Sequence, residues 1–308
     1  MAKNGLSFFQ RIAFKLEKVP YSKKTSLKIL DEVKKRTLSE AVRLIAEADD
    51  TDAEPLKLTD SKLGGFPYWV RGMEYPKAKD DGEPLVLLAQ INFEQIPPLP
   101  DFPTKGILQI FIKADSHYGC EFFHVNDERW RCVFHEEIKD AMSVEELKAI
   151  GVKSAADLDS EKEEYFPIHT EFLLSGEKTQ VSMSSACEGR FESVVREVAK
   201  DLGLKEADEA LVACNILDED AMESYWDDCE QGSKIGGYPS FTQEDPRKAD
   251  DGYDVLLLQI DSESASSEDA SPRDDILWGD MGIANFFIKK EDLINRDFSK
   301  VLYNWDCY

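Results

Sequence analysis

Five side chains in this sequence have the types and placement to grip a ligand: Lys62, Gln90, Lys234, Gln259 and Asp280. A lysine neutralises an anion, a carboxamide offers both donor and acceptor, and a carboxylate pairs with a cation or takes a proton. Each lysine stands two residues before a glycine pair, in Ser61-Lys62-Leu63-Gly64-Gly65-Phe66-Pro67 and again in Ser233-Lys234-Ile235-Gly236-Gly237-Tyr238-Pro239. A phosphate-cradling loop would run Gly-x-x-x-x-Gly-Lys-Ser/Thr, with the lysine after the glycines, and that order is absent. The glycine pairs therefore read as turns with a permissive backbone and an extended exit into proline, with an anion contact as the alternative. Gln90 and Gln259 each close an apolar run. Strand alternation is expected to put Val86, Leu88 and Gln90 on one face, and Val255, Leu257 and Gln259 on theirs. A buried amide without partners costs about 1–3 kcal/mol. Its partners are either the backbone of the glycine turn or a ligand held between the two copies of the motif.

Other chemistry is weaker in the sequence. Cys120, His124, Cys132 and His135 are all potential metal ligands within a short span, but their spacing is not that of a zinc finger. If both segments are strands, Cys132 and His135 point to opposite faces. Asp80-Asp81-Gly82 and Asp250-Asp251-Gly252 read as turns before they read as acid/base pairs. No Gly-x-Ser-x-Gly elbow occurs. The sequence assigns no catalytic residue, no metal and no cofactor.

The residues just named sit in blocks that occur twice. After the glycine motif and the Asp-Asp-Gly turn, Leu87-Leu88-Ala89-Gln90-Ile91 returns as Leu256-Leu257-Leu258-Gln259-Ile260, and Gly106–Lys113 returns as Gly282–Lys289. Four blocks in one order imply an internal duplication, with copies of about 56–135 and 228–306. Together with Trp278-Gly279-Asp280 ahead of the last strand, these blocks resemble the YwqG-like family of uncharacterised bacterial proteins, from about Leu56 to Asp306. The resemblance implies an α+β fold with a large mixed, mostly antiparallel β-sheet built from two internally repeated halves, with covering helices. It brings no established activity and no agreed catalytic site.

Elements follow from pattern. Phe8, Phe9, Ile12, Leu16 and Val19 lie on one face of a basic amphipathic helix over 6–19, which docks on its own domain or touches a membrane surface or partner. Thr37-x-x-Glu40 predicts a second helix burying Ala41, Val42 and Ile45 and ending at the acidic loop Asp49–Glu54. A helical segment at 1–50 would thus precede a repeat-bearing domain at 51–308. Strands are expected at Leu85–Phe93 and Ile107–Ile112, with a further pair at Glu121–Val125 and Arg131–Phe134. Ser143-x-x-Glu146 should cap a helix that Gly151 ends. Phe191, Val194, Val195, Val198, Ala199 and Leu202 mark the clearest helix, capped by Ser185 and ended by Gly203, with its stripe laid on the sheet. The acidic segment Asp218–Glu230 is a helix or loop, and Ser262–Arg273 is a surface loop.

Composition narrows the functional classes. The 308 residues carry 62 acidic and 37 basic side chains, a net charge of −25. Phosphate backbones would be repelled, so nucleic-acid binding is not expected. No apolar run spans a bilayer, and six cysteines without Cys-x-x-Cys pairing suit reduced thiols in a cytoplasmic protein. Two functions are compatible. One is a non-enzymatic binding protein whose acidic surface recognises a basic protein, immunity against a basic toxin being one form. The other is a small-ligand or enzyme site in the cleft between the repeats, lined by the five residues named first.

Overall fold

The computed structural model describes residues 21–48, 56–122, 128–159, 165–204, 216–227, 229, 232–248, 251–264 and 275–308. The helix expected at 6–19, the loop Asp49–Glu54, His124 and most of the run Ser262–Arg273 lie outside them. The chain forms two compact units, one of residues 1–38 and 181–230, the other of 39–180 and 231–308.

The first unit is helical. Helix α1 (Lys23–Thr37) starts at Ser22, whose hydroxyl accepts from the Thr25 amide, and buries Ile29, Leu30 and Val33. Its last turn carries Lys34, Lys35 and Arg36, the sign that a helix C-terminus favours. Helix α3 (Glu188–Asp201) buries Phe191, Val195, Val198 and Ala199, the i, i+4, i+7, i+8 stripe that the sequence implied. Ser185 does not cap it, because a short 3₁₀ turn (Ser185–Cys187) comes first, and Gly203 follows with φ +67°. The acidic segment is helix α4 (Glu219–Asp227), and Tyr225 on it meets Phe191 with ring centroids 5.7 Å apart. The stripe of α3 thus packs inside the helical unit. Arg36–Asp201 and Lys23–Asp220 tie α1 to α3 and α4 at the rim.

The second unit is one curled, mostly antiparallel ten-stranded sheet. Its strands are β1 (Ser39–Ala48), β2 (Lys62–Leu63), β3 (Val86–Asn92), β4 (Ile107–Ile112), β5 (Trp130–His135), β6 (Phe172–Val181), β7 (Lys234–Gly236), β8 (Val255–Asp261), β9 (Ile283–Ile288) and β10 (Leu302–Asp306). Outward from the central neighbours β1 and β6, the order is β2-β3-β4-β5 on one side and β7-β8-β9-β10 on the other. The sheet is clad on both faces. Leu88, Ala89, Ile91, Ile110, Phe286 and Tyr303 belong to a core on one face, while Leu87, Phe111, Trp69 and Tyr75 form a second cluster on the other. Burial on both faces accounts for the almost unbroken apolar spelling of β3, β4, β8 and β9. The two short helices of this unit are α2 (Val144–Ala149), with the Ser143/Glu146 capping box formed and Gly151 at φ +86°, and α5 (Lys290–Ile294).

Two expectations are corrected. The helix predicted from Thr37-x-x-Glu40 is instead strand β1, and Thr37 ends α1. A segment placed between two other strands gains a ladder on each edge, and that overrides a local capping signal. Of the strand pair expected at Glu121–Val125 and Arg131–Phe134, residues 123–127 lie outside the described residues, and the second member lies in β5, which pairs with β4, Gln109 opposite Val133. Finally, Gln90 does not share a face with Leu88. A bulge between Leu87 and Ala89 sets two residues of β3 against one of β4, so Leu88 and Ala89 both enter the first core and Gln90 turns away. The same irregularity occurs between Leu256 and Leu258, with the same effect on Gln259.

Candidate functional site

The glycine loops are shaped by their dihedrals. Gly64 and Gly65 have φ of 68° and 67°, and Gly236 and Gly237 have φ of 72° and 68°, all in the left-handed region that a side chain resists. The first pair is also steric. A Cβ on Gly64 would come 2.8 Å from the Thr170 carbonyl oxygen, and one on Gly65 would overlap the Glu171 carboxylate. That space lets Glu171 reach Lys62, whose ammonium is 1% exposed and 2.9 Å from Glu171 Oε1. The glycine pair makes room for an ion pair between a buried lysine and a half-buried glutamate.

Gln90 is fully buried and all of its hydrogen-bonding capacity is in use. Its Oε1 accepts from the Tyr68 amide (2.9 Å) and from Gln109 Nε2 (2.7 Å), and its Nε2 donates to the carbonyls of Leu58 and Asp60 (both 2.7 Å). The side chain therefore pins the glycine loop at both ends, before Ser61 and after Pro67. Ser61 Oγ accepts from the Asn92 amide and fastens the loop once more. Gln109 extends the network. Its Nε2 also donates to the Tyr68 carbonyl (2.6 Å), which leaves its Oε1 to accept from His135 Nε2 (2.9 Å) and so assigns the proton to that nitrogen. His135 is packed edge-on against Tyr68 and Trp69, and burial lowers its pKa from 6.5 to about 4. Sequence reasoning named His135 as a possible metal ligand and passed over Gln109. The signal for Gln109 was available, as the polar residue in an otherwise apolar strand.

The amide of the second copy is placed alike. Gln259 Oε1 accepts from the Ser240 amide and its Nε2 donates to the Gly232 carbonyl, both at 2.8 Å, again the residues flanking the loop. Ser233 Oγ accepts from the Asp261 amide. Asn285 stands opposite Gln259, as Gln109 stands opposite Gln90, and donates to the Ser240 carbonyl at 2.9 Å. Its Oδ1 has no partner. Lys234 is 1% exposed, and the nearby Asp261 carboxyl is raised by burial, against which the Gly232 and Ser262 amides pull it back.

The five residues singled out first thus fall in three places. Lys62 and Gln90 face each other across β2 and β3, and Lys234 and Gln259 across β7 and β8. Asp280 lies apart from both, exposed on the turn after Trp278. Of the possible thiol and imidazole ligands, Cys120 is buried with its pKa pushed up to about 12, and Cys132 is held protonated by burial on the face opposite His135. Among the described residues no three His, Cys, Asp or Glu side chains are grouped to hold a metal ion, and no helix is long and apolar enough to cross a membrane.

A family described as a domain of unknown function (DUF1963) matches residues 61–307. The chain belongs to that family. The match begins at Ser61, the first residue of the glycine loop, and runs through β10. No curated protein matches the chain.

Proposed function

We propose that this DUF1963 protein is a non-enzymatic binding protein of YwqG-like, bacterial and cytoplasmic type that recognises a cation-rich protein, immunity against a basic toxin being one concrete form. The observation that supports it is where polar capacity is spent and where charge is left. Lys62, Gln90, Gln109 and Gln259 are used up inside their own loops, so a small-ligand or enzyme site lined by Lys62, Gln90, Lys234, Gln259 and Asp280 would require buried groups to abandon existing partners, at about 1–3 kcal/mol each. Surface cations are likewise engaged: Arg43 with Glu177, Arg71 with Asp140 and Glu146, Lys113 with Asp80 and Asp81, and Lys290 with Asp101. The excess of 62 acids over 37 bases therefore dominates the outer field, which speeds encounter with a basic partner and repels nucleic acid. The sequence repeat is part of the same reading, as two equivalent half-sheets forming one scaffold.

Affinity capture from lysate at low and at high salt is the test. A strongly basic protein retained in stoichiometric amount at low salt and released at high salt is expected. Recovery of no basic protein, or of one indifferent to salt, would overturn the reading.

A further inference from the structure

The two edge strands of the curled sheet, β5 and β10, approach each other, Trp130 lying 5.6 Å from Tyr303 between ring centroids, with no ladder between them among the described residues. Aromatic side chains fill that seam. Tyr118, from the β4–β5 connection, lies with its ring centroid 4.8 Å from Trp305 on β10 and 5.3 Å from Trp278 in the β8–β9 connection. Phe122 is 5.9 Å from Trp305. Trp305 Nε1 donates to the His117 carbonyl at 2.8 Å, and the Gly279 amide donates to the Tyr118 hydroxyl at 3.4 Å.

Several features separate this cluster from ordinary core. Tyr118, Phe122 and Trp305 are only half-buried, and Leu277 and Met281, which flank Trp278-Gly279-Asp280 in the chain, are 44% and 46% exposed. The fully buried Trp278 indole has an Nε1–H without an acceptor, a deficit of about 1–3 kcal/mol. Tyr118 and Met281 both hold positive φ, 51° and 53°, in the two loops that meet here, and such strain gathers where surfaces are kept for function. Asp280 projects from the same turn, and its carboxylate meets no cation among the described residues. Half-buried, electron-rich rings and a carboxylate two residues beyond Trp278 on the same turn suit a guanidinium or ammonium group.

We propose that this seam, where Tyr118, Phe122, Trp305 and Asp280 lie around the buried Trp278, is the docking site for an arginine- or lysine-bearing segment of a basic protein partner. Charge complementarity with a chain of net charge −25 selects that occupant over an apolar or acidic one. The inference rests on the proposed function and gives it a location.

The test uses the full chain and a fluorescein-labelled hexa-arginine peptide, followed by anisotropy at low salt. Asp280→Lys and Glu94→Lys change net charge equally. Glu94 is exposed between β3 and β4, at the opposite end of that hairpin from Tyr118. Asp280→Lys and Trp305→Leu are each expected to weaken binding by about fivefold or more, and Glu94→Lys by less than about twofold. Thermal melts establish that each variant is folded, and the two charge reversals at exposed positions decide the matter if Trp305→Leu is not. Equal weakening by the two lysine substitutions would overturn the seam and leave the broader reading standing. Failure of the wild-type chain to bind the peptide at all would overturn the broader reading and the seam with it.

Discussion

The two glycine loops are held by the same device, a buried glutamine amide that makes different numbers of hydrogen bonds among the described residues. In the first, Gln90 spends both atoms of its amide on four hydrogen bonds, and Gln109 links it onward to Tyr68 and His135. In the second, among the described residues, Gln259 makes one bond at each end, and the shorter Asn285 reaches the Ser240 carbonyl and leaves an oxygen without a partner. One methylene separates a side chain that bridges neighbours from one that cannot. The comparison teaches that two loops of like sequence can share their attachment points while their amides make different numbers of bonds there. Gln90 should accordingly be the more damaging amide to lose.

Gln90→Ala should give the largest effect, a loss of about 4 kcal/mol, because it strands the Tyr68 amide and the Leu58 and Asp60 carbonyls inside the protein. Urea unfolding would read it as a fall in midpoint at constant slope. An effect no larger than that of Gln259→Ala would break the comparison. Acidification should come next. His135 is neutral when folded and has a folded pKa of about 4 against 6.5 unfolded, so between those values the unfolded chain binds the extra proton. Its contribution is complete above pH 6.5 and lost as pH falls towards about 4, to a limit of about 3 kcal/mol. His135→Gln retains a donor for Gln109 without the titration. Melting curves across that window should therefore be flatter for the variant than for wild type, and parallel curves would remove His135 from the account.

Gln259→Ala should cost about 2 kcal/mol, for the Ser240 amide and the Gly232 carbonyl it deserts. Smallest of all, Asn285→Ala should cost less than about 1 kcal/mol, since the lost hydrogen bond is offset by removal of an orphaned oxygen. Gln109→Ala should exceed it severalfold. Equal effects for Asn285 and Gln109 under the same denaturant protocol would show that side-chain reach is not what distinguishes the two loops.

Much of this was legible in the chain. Ile107–Ile112 is a strand at the bounds expected, the Ser143/Glu146 box caps its helix, and the Phe191 to Ala199 stripe is buried. The backbone at the ends of the glycine loop was one of two partners foreseen for Gln90 and Gln259. The face on which those amides lie was not legible, because a bulge leaves no mark in alternation. The identity of β1 was missed because a capping signal is local and a strand's second neighbour is not.

What the sequence determined by itself is what depends on a few adjacent residues: glycines where φ turns positive, apolar runs that cannot stay in water, helices whose stripes repeat at 3.6, and a net charge that no fold can alter. Tertiary structure alone decided register and apposition. It chose β4 as the partner of β5, slipped β3 and β8 by one residue at their bulges, and brought Tyr118 against Trp278 and Trp305 from three separate connections and strands. Those outcomes come from minimising unpaired edges and unfilled space over the whole sheet at once, and no segment of the chain contains that sum.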